Sequence, residues 1–205
     1  MEQSVNMITL RGALHSLPVF SHENHNRKFW RFLLEVPRLS GAVDLLPVIT
    51  DELSVTAMDP FAGQMITVYG QIRSHNVRND TGRHLMIFVF ASSICVEDGD
   101  PLNDVVLEGA VCRPPTFRRT PLGRQICDVM LAVPRAFNRA DYLPCILWGR
   151  TAQDVSGCSV GSRLQLCGRL QSRIYTKLTE EGPIERTAYE ISALTAQVLP
   201  EDLIE

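Results

Sequence analysis

This chain is nearly empty of lysine. Only Lys28 and Lys177 are lysines, and every other fixed positive charge among its 20 is an arginine. Arginine can bind phosphate and stack on a flat ring at once, which lysine cannot. No apolar run approaches the roughly 18 residues of a membrane-spanning helix. The start, Met1-Glu2-Gln3-Ser4, lacks the basic-then-apolar pattern of a secretory signal. The expected location is therefore cytoplasmic. Six cysteines, Cys95, Cys112, Cys127, Cys145, Cys158 and Cys167, form no CxxC pair, and most lie in apolar strand patterns. They read as reduced thiols rather than metal ligands or disulfides. His22 and His25 stand three apart in a polar loop, and two ligands do not make a zinc site. Gly63 and Gly161 read as turn glycines before a strand, not as a phosphate loop. There is no nucleophile elbow and no carboxylate pair set for acid–base work. The expectation is a binding protein with no cofactor and no catalytic residues.

What is present is a duplication. Leu10-Arg11-Gly12-Ala13 lies over Leu107-Glu108-Gly109-Ala110 at an offset of 97. The same offset pairs Pro18 with Pro115, Phe20 with Phe117 and Arg27 with Arg124. It also aligns Leu34, Val36, Pro37 and Arg38 with Leu131, Val133, Pro134 and Arg135, and Asp44, Leu46 and Pro47 with Asp141, Leu143 and Pro144. With the offset raised by one, Gly70 and Ser74 match Gly168 and Ser172. Solenoid repeats are much shorter, about 20–50 residues, so this period marks two copies of a domain of ordinary size. The expected layout is an N-terminal domain over 1–98, a linker over 99–103 containing Pro101, a C-terminal domain over 104–199 and a short acidic tail over 200–205.

Each copy reads as five strands with a short helical piece after the third. In the first they fall at 5–14, 29–37, 45–50, 65–74 and 83–96, with Asp51 capping a helix within 51–61. In the second they fall at 104–112, 125–134, 142–148, 162–175 and 186–199. Turns are expected at Asn79-Asp80-Thr81-Gly82, Thr120-Pro121-Leu122-Gly123 and Glu180-Glu181-Gly182-Pro183. This order fits an all-β protein of two tandem OB-fold barrels. The chain's formal charge is −3, but residues 101–199 hold 12 basic against 9 acidic residues, so the second copy is the basic one.

Aromatics and arginines interleave on the second copy's strands, in Tyr142-Leu143-Pro144-Cys145-Ile146-Leu147-Trp148-Gly149-Arg150 and in Gly168-Arg169-Leu170-Gln171-Ser172-Arg173-Ile174-Tyr175. Every base offers a face to stack and every nucleotide a phosphate to neutralise, so such strands suit an unpaired nucleic acid. With Pro115-Thr116-Phe117-Arg118-Arg119-Thr120-Pro121-Leu122-Gly123 and Leu131-Ala132-Val133, these segments resemble the DNA-binding domain of bacterial single-stranded DNA-binding proteins. The resemblance spans 105–199; the first copy shares mainly glycines and apolar positions.

The resemblance implies four base-stacking positions, which fall on Phe137, Tyr142, Trp148 and Tyr175. It also implies phosphate contacts at Arg118, Arg150 and Arg173, with Arg119 and Arg169 beside them. The matching first-copy residues are Ser40, Leu45, Asp51 and Val77, none aromatic. That copy is expected to be degenerate, a structural or dimerising partner; Trp30, Tyr69, Phe88 and Phe90 offer material for a different platform, but their places within strands favour core packing. The implied function is sequence-tolerant binding of single-stranded DNA for replication, repair or recombination, near the bacterial nucleoid. The implied assembly is a homodimer presenting four barrels, with replication or repair proteins as further partners and no membrane. The resemblance stops at the tail, because Leu199-Pro200-Glu201-Asp202-Leu203-Ile204-Glu205 lacks the Pro-Phe tip by which the family recruits such proteins. The competing reading is an OB-fold protein-interaction module like a primosome accessory factor. RNA or oligosaccharide binding by the same barrel also stays open.

Overall fold

A computed structural model describes residues 5–79, 82–179 and 182–200. The first copy contains β1 (Asn6–Leu14), β2 (Val19–Asn24), β3 (Arg27–Pro37), β4 (Val43–Asp51), α1 (Glu52–Met58), β5 (Met65–Asn79) and β6 (Gly82–Val96). The second contains β7 (Leu102–Val111), β8 (Thr116–Arg119), β9 (Gln125–Arg135), β10 (Arg139–Trp148), α2 (Gly149–Ser156), β11 (Arg163–Thr179) and β12 (Gly182–Val198). Five long strands per copy close in the same way. In the first, β1 pairs β5, β5 pairs β6, β6 runs parallel to β4, β4 pairs β3, and β3 returns to β1. In the second, β7, β11, β12, β10 and β9 repeat that circuit. This is the two-barrel OB architecture.

Alternation drives closure. On β3, Phe32, Leu34 and Val36 are buried, and on β9, Val129, Leu131 and Val133 are buried. Glycine permits the tight contacts between strands. A Cβ on Gly70 would strike the Phe90 carbonyl, and one on Gly168 would strike the Ser192 carbonyl, each beside a β-bulge. Asp51 caps α1 by accepting from the Ser54 N–H at 2.9 Å. In each copy the unread elements are the short edge strands β2 and β8, which pair with β3 and β9. The Thr120 turn is observed, with the Gly123 N–H donating to the Thr120 carbonyl at 2.8 Å. Asp80, Thr81, Glu180, Glu181 and tail residues 201–205 lie outside the described residues.

The two barrels are joined as one sheet. β1 and β7 pair antiparallel from Asn6↔Leu107 to Arg11↔Leu102. Leu102 and Asn103, expected in the linker, therefore belong to a strand. Asn6 and Asn103 play the same part in their copies: each donates to and accepts from the backbone of a fourth-strand residue, Ile72 and Leu170 respectively. Two buried aspartates cross the boundary. Asp44 accepts from the Ser172 N–H at 2.6 Å and from the Ser172 hydroxyl at 2.9 Å. Asp141 accepts from the Ser74 N–H at 2.7 Å and pairs with Arg73 at 3.1 Å.

Candidate nucleic-acid interface

The ligand face of an OB barrel lies on its second and third strands, between two loops. In the second copy this is the outward face of β9 and β10, extended by the β11–β12 hairpin. Along β10, Leu143, Cys145 and Leu147 point into the core, so Tyr142, Pro144, Ile146 and Trp148 share the outer face. Tyr142 is 45% exposed and Trp148 37% exposed. The Trp148 indole N–H donates to the Ser192 hydroxyl at 3.2 Å, which fixes its ring while leaving a face open. The Tyr142 N–H donates to the Ser74 hydroxyl at 2.7 Å, so the first copy helps hold this residue in place.

Phe137 tops the β9–β10 turn at 93% exposure. Its φ of 63° lies in the left-handed region, where a bulky residue is uncommon, and Asn138 follows at 53°. Tyr175 is 39% exposed on β11, opposite Arg186 of β12. The Arg173 guanidinium lies 5.7 Å from the Tyr175 ring centroid. All four expected stacking residues thus offer ring surface to solvent.

The arginines divide. Arg150 is almost fully exposed at the start of α2, 4.0 Å from Asp154. Arg119 is exposed near the end of β8. Arg118 is held at 2.6 Å by Asp128, whose hydrogen bond raises the arginine's pKa above its ordinary value. Arg169, Gln171, Arg173 and Tyr175 alternate on one face of β11. Glu190 lies across from them: it accepts from Gln171 at 2.9 Å and sits 3.8 Å from Arg173. Arg169 is partly buried, and its Nε finds no acceptor among the described residues. Sequence reading missed Asp128 and Glu190, which lie against Arg118 and Arg173, because pairing across strands is invisible before register is known.

Of the four alternative aromatics of the first copy, Trp30 and Phe90 pack against other rings of their own barrel. Trp30 packs edge-on against Phe20 at 6.2 Å, and Phe90 lies 5.8 Å from Phe29. Tyr69 is on β5 opposite Thr9, on the sheet shared by the barrels. His22 stacks on Phe29 at 4.9 Å. Among the described residues no three His, Cys, Asp or Glu groups gather as a metal site, and no helix is long and apolar enough to cross a membrane.

Two closed five-stranded barrels, the second with exposed aromatics on its strand face, define the OB-fold class of protein. Comparison with known proteins narrows the class. Residues 102–199 match the model of the single-strand binding protein family. The chain is 38% identical to single-stranded DNA-binding protein B of Bacillus subtilis over 87 residues, covering 39% of this chain and 75% of that protein. It is 34% identical to the single-stranded DNA-binding protein of Oceanobacillus iheyensis over 107 residues, 48% of this chain and 63% of that protein. The solved wild-type single-stranded DNA binding protein of Thermus aquaticus superposes with a TM-score of 0.81 at 22% identity, over 100% of this chain and 97% of that one. At that identity the likeness shows the fold. The chain belongs to the single-strand binding protein family.

Proposed function

We propose that this protein binds single-stranded DNA, as the names of its relatives state for them, and that it does so with little sequence preference. The observation that carries the reading is the outward face of the second copy. Phe137, Tyr142, Trp148 and Tyr175 present open rings there, with Arg118, Arg119, Arg150, Arg169 and Arg173 around them. Stacking supplies about 1–3 kcal/mol per base, and arginine–phosphate contacts add a salt-dependent share. Bound strands cannot re-pair, which is the protection needed in replication, repair or recombination. The protein works as a binder in the cytoplasm, without a metal, a cofactor or catalysis.

In this reading the first copy is chiefly the partner barrel. It supplies β1 to the common sheet and ties down Tyr142 through Ser74. A two-fold homodimer, the commonest closed assembly, would present four barrels; Met7 on β1, Tyr69 on β5 and Leu194 on β12 are exposed on the common sheet and suit such a contact. Replication or repair proteins are its expected further partners.

The test is paired alanine substitution of Tyr142 and Trp148. Loss of oligo(dT) binding with an unchanged thermal melt supports single-strand binding. Unchanged binding would favour a protein-interaction module instead.

A further inference from the structure

Each barrel holds one serine of the other, but the two contacts are not equivalent. Ser172 of the second barrel donates its hydroxyl to Asp44 at 2.9 Å. The residue after Asp44 is Leu45, which stands where Tyr142 does 97 positions on. Ser74 of the first barrel uses its hydroxyl differently. It accepts the Tyr142 N–H at 2.7 Å and lies 3.5 Å from Asp141. One contact thus lies beside an aliphatic residue, and the other ends on a ring-bearing residue of the candidate interface.

The cations differ in the same direction. Asp44 draws its arginine from its own barrel, Arg38 at 2.7 Å. Asp141 has the matching arginine, Arg135, only at 3.4 Å, and takes a closer one, Arg73 at 3.1 Å, from the first barrel. In the second copy Gln171 stands at the place of Arg73, and it donates to Glu190 instead. Asp141 is fully buried and also accepts the Ser74 backbone N–H at 2.7 Å. Ser74 is therefore fixed through its main chain by Asp141, and its hydroxyl is held against Tyr142.

The strand is least supported at this point. β12 pairs with β10 only from Cys145 to Leu147. Before that pairing begins, the Tyr142 N–H finds its acceptor in the other barrel. We infer that Ser74 is a positioning residue for the single-strand site of the second barrel. Its hydroxyl sets the height and angle at which the Tyr142 ring meets a base, and a site left loose beneath its contact residues loses grip. Ser74 acts through Tyr142 and not on the ligand, so the first barrel tunes affinity from behind the platform. The inference rests on the second copy being a single-strand binder.

The test compares full chains by fluorescence titration with oligo(dT). Ser74→Ala should weaken binding by about 3- to 10-fold, the worth of one hydrogen bond. Ser74→Thr keeps the hydroxyl on a side chain that suits a strand, and should return affinity to within about twofold of the unsubstituted chain, the scatter of uncoupled changes. Ser172→Ala removes the counterpart hydroxyl; it should lower the thermal melt yet leave affinity within the same about twofold. In a Tyr142→Ala chain, Ser74→Ala should cost no further affinity, because its effect runs through that ring. Unchanged affinity of Ser74→Ala, equal losses from Ser74→Ala and Ser172→Ala, no rescue by threonine, or full additivity with Tyr142→Ala would each overturn this inference and leave single-strand binding standing. Failure of the unsubstituted chain to bind oligo(dT) would overturn single-strand binding, and this inference with it.

Discussion

Asp44 of the first barrel accepts the backbone N–H of Ser172 of the second at 2.6 Å, while Arg38 holds the same carboxylate from its other side at 2.7 Å. Its counterpart Asp141, 97 positions on, accepts from Ser74 of the first barrel. The two barrels are thus locked reciprocally, each by a buried carboxylate. Burial alone would push the Asp44 carboxyl up. Hydrogen bonds from Arg38 and Ser172, with the charge of Arg38, outweigh it and hold the group below the ordinary carboxylate value.

The lock has a pH signature. A carboxylate whose folded pKa is depressed contributes stability above its unfolded pKa of about 3.9, and loses that contribution as pH falls below it. Thermal melts of the wild-type protein should drop as the pH is lowered from about 4. Asp44→Ala should remove this dependence in part and cost about 3–5 kcal/mol at neutral pH, because Arg38 is left half-buried without its partner. Chemical denaturation at pH 7 checks the magnitude. A shift under 1 kcal/mol would show that the lock is not energetically important.

Phe137 trades backbone comfort for an exposed ring. Left-handed backbone costs an L-residue roughly 1–2 kcal/mol. Phe137→Gly should therefore leave stability unchanged or raise it slightly, while oligo(dT) affinity falls by the worth of one stacked base, about 1–3 kcal/mol. Calorimetry with a binding titration separates the two effects. A destabilised variant with normal affinity would assign Phe137 a packing role instead.

Glu190 restrains the cation beside Tyr175. Replacing it by glutamine keeps an acceptor for Gln171 and releases Arg173. The pair is long at 3.8 Å and Arg173 is largely solvated, which keeps its worth near that of a surface pair, about 0–1 kcal/mol, so Glu190→Gln should tighten single-strand binding by up to about fivefold at low salt, with the gain shrinking as salt screens the charge. Weaker binding by this variant would mean that Glu190 orders the site rather than competing for it.

Much of this molecule could be read from its sequence because its chemistry repeats. Gly70 and Gly168 hold register at the bulges, Asp51 caps a helix, and alternation on β3 and β9 marks the core. Tyr142 and Trp148 were singled out by the family resemblance rather than by alternation, because every residue between them is apolar and only the folded strand shows which side each takes. The edge strands β2 and β8 were not, since Val19 and Phe20 are exposed and β8 is exposed throughout. Nor was the joined sheet: nothing local to Leu102 or Asn103 announces that they pair with Arg11 and Leu10. The Asp44–Ser172 contact spans 128 residues, and only the folded duplication brings it together.

The most direct test of the account is a fluorescence titration of the intact protein with oligo(dT) over a salt series, following the emission of Trp148 and Trp30. Stacking of a base on Trp148 should quench the emission, and affinity should fall with salt at a slope of about −0.7 for each phosphate neutralised. Saturable quenching with a slope of about −2 or steeper, the value for three phosphates, is the predicted result. Emission unmoved by oligo(dT), with no binding even at low salt, would contradict it.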